Sequence, residues 1–313
     1  MSIAPLLARL WKVAFSYETW NFGTAKPDMD AMVVQGRLGP VRWANLGNLF
    51  GLRADPVFWN QDGQLRILYE ELHAYRGRGE IRSIAVDDMD GGGRSRAEIR
   101  PPYHVSYPQL LREEGTLFCT VESAVARGVD LYAWDGEKLR WRLAERLLDR
   151  HPVLDPTIVR WNGQWYLFGT MVHDDCGDRE LYLWGADRLR GPWQAHPRSP
   201  IQIPSPTARC GGAFFVHAGR LYRPSQDAAG GYGSAVCINR VEVLNAREYF
   251  ETEVCRLRPD PTGPFPEGLH TLAIYGDMVV IDGKRRRWHP LAWLSKIIWH
   301  LRGAPKARIK LKT

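Results

Sequence analysis

The sequence offers no framework for disulfides or zinc. Its five cysteines, at 119, 176, 210, 237 and 255, are an odd set with no Cys-x-x-Cys spacing. That excludes both the bridges of a small secreted scaffold and the ligand pairs of a structural zinc site. Cys119 and Cys237 sit in strand-like runs and read as small core residues, so a reducing cytoplasm is the expected compartment. A long apolar run is also missing. Pro5 to Phe15 is short and interrupted by Arg9 and Lys12, too little to cross a bilayer. It lacks the leading charges and small-residue end of a secretory signal and reads as a short amphipathic helix. Acids are absent from 284 to 313, where ten Lys or Arg stand. Against a formal charge of +7 for the whole chain, this leaves −3 for the remainder. A nucleic-acid groove on the main body is thereby excluded. The acids Asp87, Asp88 and Asp90 lack EF-hand spacing and read as an exposed loop. No metal site and no cofactor is read from the sequence.

What the chain has in quantity is aromatic residues, including 13 Trp, and turn glycines. The stretch Leu154 to Thr170 is two β-rich runs around Asn162-Gly163, a strong hairpin signal because both turn residues tolerate positive φ. The same sentence recurs around Gly63, Gly115, Gly219 and, more loosely, Gly276. Five copies spaced 52, 48, 56 and 57 residues apart leave room for two further strands each, the mark of propeller blades. Leu131 to Trp134 and Leu181 to Trp184 read as third strands, and Trp141 and Trp193 as fourth-strand residues. The expected fold is all-β: a five-bladed β-propeller with a short, basic, amphipathic C-terminal helix. Residues 1–23 form an N-terminal segment whose Tyr17 to Phe22 stretch can close the ring. Residues 24–283 form the propeller, and 284–313 the basic tail.

Hairpin geometry brings the residue eight before each turn glycine to the end of the strand where the residue seven after it returns. The expected pairs at the channel mouth are Asp55 with Glu70, Tyr107 with Glu122, Asp155 with Thr170, Gly211 with Gln226, and His270 with Asp282. Convergent carboxylates in an apolar funnel make a candidate site. Paired carboxyls are also what glycosidic chemistry uses, one protonated and one ionised. Asp55, Asp155 and Glu122 are the catalytic candidates.

The Asp-Pro starts at 55 and 155 resemble the five-bladed arabinanase, levansucrase and invertase superfamily. That resemblance implies a base or nucleophile role for Asp55 and a modulating or sugar-holding role for Asp155. The superfamily's third carboxylate, a Glu opening blade four, is replaced here by Cys210-Gly211-Gly212. Some related propellers hold a calcium ion in the channel. A closer resemblance rests on Ser106-Tyr-Pro108, Glu122, Arg209 to Gly212, Leu221 to Asp227 with Tyr232-Gly233, and His270-Thr271 with Ile281 to Gly283. These look like the N-terminal propeller of plant glucosamine inositolphosphorylceramide transferases and their bacterial relatives. Arg209, Arg223, Gln226, Asp227, Tyr232 and His270 belong to that pattern and, with Glu70 and Tyr107 of the expected mouth pairs, read as substrate-binding residues for hydroxyl, phosphate or carboxylate groups. Arg223 and Asp227 have a second reading, as a pair with each other across a loop.

Two functional readings follow. One is a carbohydrate-active propeller that hydrolyses or transfers a glycoside, sugar phosphate or glycolipid. The other is a non-catalytic glycan-binding module assisting a partner glycosyltransferase in polysaccharide or glycolipid synthesis. In Trp288 to Arg302, Leu291, Leu294, Ile298 and Leu301 recur at helical spacing beside basic residues. That tail reads equally as a contact for an anionic membrane, peripheral on its inner face, or as a helix packed on the propeller.

Overall fold

The computed structural model describes residues 14–47, 51–74, 76–91, 93–172 and 179–301. Most of the N-terminal apolar stretch, Cys176, and the basic end from Arg302 lie outside the described residues.

Strand β1 (Ser16–Ala25) leads through helix α1 (Met29–Gln35) to the short β2 (Arg42–Trp43). Blade one is β3 (Gly51–Gln61), β4 (Gln64–His73), β5 (Gly79–Ala85) and β6 (Arg96–Ile99). Blade two is β7 (Ser106–Glu113), β8 (Thr116–Ser123), β9 (Gly128–Asp135) and β10 (Arg140–Asp149). Blade three is β11 (Val153–Trp161), β12 (Gln164–Met171), β13 (Glu180–Ala186) and β14 (Gln194–Ala195), with β15 (Ile201–Gln202) beside β13. Blade four is β16 (Phe215–His217), β17 (Arg220–Asp227), β18 (Ala235–Leu244) and β19 (Tyr249–Leu257). Blade five is composite: β20 (Leu272–Tyr275) and β21 (Met278–Trp288) pair with β1 and then β2 from the other end of the chain. Helix α2 (Ala292–Leu301) follows β21.

The inner hairpins turn as their sequences require. Asp62-Gly63, Glu114-Gly115, Asn162-Gly163 and Ala218-Gly219 all have both residues at positive φ, the type I′ form that matches strand twist. Each of the five apolar clusters lies between neighbouring blades. Trp59, Leu68 and Ile81 of blade one pack with Cys119, Val121 and Tyr132 of blade two. Leu131 meets Trp165 and Leu167 across the next seam, and Phe168 meets Leu221 across the one after. Ile238 meets Val279 and Ile281, and Phe22 and Val280 meet Phe58 and Ile67. Five seams between five sheets define the ring. Cys119, Cys210 and Cys237 are buried free thiols, and Cys255 is a half-buried one.

The hairpin turns lie at one end of the channel, so the starts of the inner strands lie at the other, which is the mouth. In blades two and four the connection from second to third strand crosses the mouth face. In blade five that connection is the chain break itself: β21 runs out past Asp282 to Trp288, paired antiparallel with β1 as far as Ser16. Both terminal segments therefore leave the propeller on the mouth face.

Candidate carboxylate site at the channel mouth

Three inner strands carry the same irregularity. The ladder slips between Ala54 and Val57, between Ser106 and Gln109, and between Leu154 and Thr157. The extra residue precedes a proline each time and sits in the left-handed region: Asp55 at φ 53, Tyr107 at φ 48, Asp155 at φ 47. A bulge of this kind leaves one N–H out of the ladder and re-aims the side chain. It also corrects the expected pairing by one residue: Glu70 stands opposite Ala54, Glu122 opposite Ser106 and Thr170 opposite Leu154.

The liberated N–H groups find their acceptors on the preceding blade. Asp55 N donates to Asp282 Oδ2 at 3.2 Å, Tyr107 N to Asp55 Oδ2 at 3.2 Å, and Asp155 N to Glu122 Oε2 at 2.9 Å. In blade four Gly212 N donates to the Tyr107 hydroxyl at 2.7 Å, and that oxygen also contacts Thr157 Oγ1 at 2.9 Å. The mouth is stitched blade to blade through its own acids.

Two charged centres result. In the first, His270 lies between two carboxylates, with Nδ1 2.6 Å from Asp282 Oδ2 and Nε2 3.3 Å from Asp55 Oδ1. Asp282 also accepts from the His270 and Thr271 N–H groups and from the Thr271 hydroxyl. Burial alone would raise the Asp282 pKa; the imidazolium and these donors outweigh it and hold it below the usual range. Burial likewise works against the charge on His270, and Asp282 and Asp55 overcome it, raising its pKa. Asp55 is driven well above the carboxylate range by burial, His270 offsetting this only in part. Among the described residues, Asp55, His270 and Asp282 bring their ligand-type atoms within 4.8 Å of one another. Both imidazole nitrogens face carboxyl oxygens of this same group, at 2.6 and 3.3 Å.

In the second centre, Asp155 pairs with Arg209 Nε and accepts from Gln226 Nε2 at 2.6 Å. Glu122 adjoins it, 3.9 Å from Arg209 Nη2. Burial, then the charge of Asp155, push the Glu122 pKa up to about 8, so it holds a proton at neutral pH. Glu70 is raised well above its range by burial and by Glu122, Asp155 and Asp282. Its neighbour is His104, whose Nε2 is 3.6 Å away. Gly79 N donates to His104 Nδ1 at 2.8 Å, which leaves the ring proton on Nε2. Burial lowers the His104 pKa to about 4.

Above these centres lies an aromatic cover. Tyr232, on the glycine-rich loop between β17 and β18, is 40% exposed, and the Arg209 guanidinium lies 5.2 Å from its ring centre. Trp20 from β1 packs on His270 at 4.2 Å between ring centres and edge-on to Tyr232 at 6.0 Å. Lys284 Nζ lies over Trp20 and donates to the Tyr232 carbonyl at 2.6 Å. Below, a small cavity is lined by Asp55, Tyr107, Gln109, Gly212 and Thr271 among others. Asp55, Glu70, Glu122 and Asp155 are each buried, at 3–8% exposure.

The structure thus gathers Asp55, Glu70, Tyr107, Glu122, Asp155, Arg209, Gln226, Tyr232 and His270 at one mouth. Arg223 and Asp227 stand apart and do not pair with each other. Arg223 is wholly buried, bonded to Glu251 and to the Ala208 carbonyl, and Asp227 pairs with Arg256 at 2.6 Å. Strand alternation explains it: residues 223 and 227 share a face of β17 that 226 does not. Trp20 and Lys284 lacked any sequence signal for the site, since the break in blade five alone brings them there. Asp282 was legible as the fifth-blade partner of His270, though not as its anchor.

The model of the family described as "Glucosamine inositolphosphorylceramide transferase 1, N-terminal" matches residues 41–261. Glucosamine inositolphosphorylceramide transferase 1 of Oryza sativa subsp. japonica is 30% identical over 208 residues, 64% of this chain and 28% of the rice protein. The Arabidopsis thaliana protein of the same name is 29% identical over 220 residues, 68% of this chain and 28% of its own. The chain therefore matches less than a third of the length of these relatives. Among solved structures, a family 117 glycoside hydrolase from Zobellia galactanivorans superposes with a TM-score of 0.52 at 12% identity, covering 85% of this chain and 90% of the other. An exo-β-1,3-galactanase from Clostridium thermocellum gives 0.50 at 12% identity, covering 67% and 52%. At such identities these structures establish the fold.

Proposed function

Because the chain belongs to the family of the glucosamine inositolphosphorylceramide transferase N-terminal domain, we propose that its propeller is a glycan-binding module that presents a sugar or glycolipid headgroup to a partner glycosyltransferase. The observation that carries this reading is the state of Asp155. Its carboxylate is engaged by Arg209 and Gln226, and Asp55 and Glu122 accept backbone N–H groups of neighbouring blades. These acids hold the rim together instead of facing a reacting carbon. What faces outward is Tyr232, an aromatic platform of the kind sugars stack on, with the Arg209 donors beneath it for hydroxyl or anionic oxygens.

A second reading, glycoside cleavage or transfer, rests on one feature: protonated Glu122 beside Asp155 makes the acid and carboxylate pair of glycosidic chemistry. Calorimetric titration with a panel of oligosaccharides and glycolipid headgroups, beside an assay for released sugar, separates the two. Binding is expected to persist in Asp55→Asn and Glu122→Gln and to fall about tenfold or more in Tyr232→Ala, the size of a lost stacking contact. Measurable turnover by the wild type that disappears in Asp55→Asn would replace the binding reading with the catalytic one.

A further inference from the structure

Large exposed apolar side chains are scattered around most of the ring: Val125, Leu139, Val216 and Phe250 each stand on a different strand or loop. The exception is the end of the chain, where Trp288, Leu291, Trp293 and Ile297 are 43–58% exposed within ten residues. Trp288 holds the last position of β21, Leu291 the turn after it, and Trp293 and Ile297 the exposed side of α2, whose other side is fixed by buried Ala292 and by Lys296 Nζ on the Ser16 carbonyl. Asp282 marks the mouth, and six further residues of β21 carry the chain outward to Trp288, about 20 Å along a strand. The patch therefore stands on the mouth face and projects beyond it.

Blade one continues this face with a basic rim. Arg53, Arg76, Arg82 and Arg100 share two buried acids, Glu71 and Glu80, and Arg78 bonds the Pro102 carbonyl. Arg76 and Arg100 keep about half of their side-chain surface in solvent. The two regions adjoin, for Thr19 of β1 bonds the Gly51 carbonyl at the start of blade one. Paired tryptophans beside exposed aliphatics, bordered by guanidinium groups, match a lipid interface with acidic headgroups. The charge of residues 284–313, ten cations and no acid, complements the same surface.

We propose that the mouth face of blades five and one docks on an anionic lipid bilayer, inserting Trp288, Leu291, Trp293 and Ile297 at the interface, so that the channel mouth looks toward the headgroups. The docking stands on its own observations. Its corollary, that the bound glycan is carried by a lipid, rests on the glycan-binding reading above.

The test is flotation of the full chain with vesicles of phosphatidylcholine alone or mixed with phosphatidylglycerol. The expected result is binding to the mixed vesicles only. That binding weakens with salt and drops about tenfold or more in a Trp288→Ser, Trp293→Ser, Ile297→Ser triple variant of unchanged melting temperature. An environment-sensitive dye on Val125→Cys, on the mouth face of blade two, is expected to respond to vesicles. The same dye on Val216→Cys, beside a hairpin turn on the opposite face, is not. A wild type that stays in solution, a triple variant that binds equally, or sedimentation as a larger species without lipid would each overturn the docking; a response at 216 alone would overturn the orientation. Titrating the triple variant with soluble glycan keeps the two proposals separate: lost docking with retained glycan binding leaves the site reading intact, and the converse leaves the docking intact.

Discussion

Arg209 is the cation on which the second charged centre depends. Its guanidinium joins Asp155, approaches Glu122 and supports Tyr232. Removing one member of a buried pair leaves the other without compensation, a loss of about 3–5 kcal/mol. Arg209→Ala is therefore expected to lower the urea midpoint strongly, and Asp155→Asn in the same background to restore part of it. Glu122 gives a separate signature. With its pKa near 8 in the folded protein against 4.5, the native state keeps a proton that the unfolded chain has released. Its contribution to stability consequently falls as pH rises from about 4.5 to about 8. Glu122→Gln is expected to flatten that decline, seen as a smaller loss of melting temperature between pH 5 and 8 relative to wild type. His104 acts in the other direction. Held near 4 by burial against 6.5 unperturbed, it takes a proton more readily when unfolded, so its contribution is lost as pH falls from 6.5 toward 4.

At the scale of strands, the three pre-proline bulges re-aim Asp55, Tyr107 and Asp155 out of an ordinary β-ladder. Gly212 shows how tightly blade four is fitted to them: its φ is 137°, and a Cβ there would lie 1.9 Å from the Leu272 carbonyl oxygen. Gly212→Ala is expected to prevent closure of the mouth or to cost several kcal/mol, measured by chemical denaturation. Tyr107→Phe is the milder test. It strips the acceptor from Gly212 N–H and should cost about 1–3 kcal/mol without changing the fold. This is also where reading from sequence reached its limit. The hairpins were legible because a type I′ turn demands Gly and tolerates few neighbours. The bulges were not, because a pre-proline Asp also fits a regular strand start; the pairs at the mouth were accordingly expected one residue out of register. Arg209 and His270 were recognisable as rim residues. The separate lodging of Arg223 with Glu251 was not, since Glu251 lies on β19 and nothing local links it to β17.

For the molecule as a whole, the ring is closed by ten β1–β21 residue pairs, from Ser16 with Trp288 to Ala25 with Val279. The chain break replaces a loop that the other blades possess. A permuted protein with Trp288 joined to Ser16 by a short Gly-Ser link, opened at Glu114-Gly115, is expected to fold to the same propeller. Deletion of residues 14–25 should instead yield a species without a single cooperative unfolding transition. Circular dichroism with denaturant titration checks both.

The same closure sets a schedule for the newborn chain. Thr24 leaves the ribosome some 250 residues ahead of its partner Val280, on the order of tens of seconds at ordinary rates of synthesis. Throughout that interval blade one has only β1 on its blade-five side, and the cluster of Phe22, Phe58 and Ile67 lacks Val280. Translation that stalls between blade four and β20 would release a chain with four blades, an orphan strand and two naked seams, a natural client for chaperones that hold exposed β-edges.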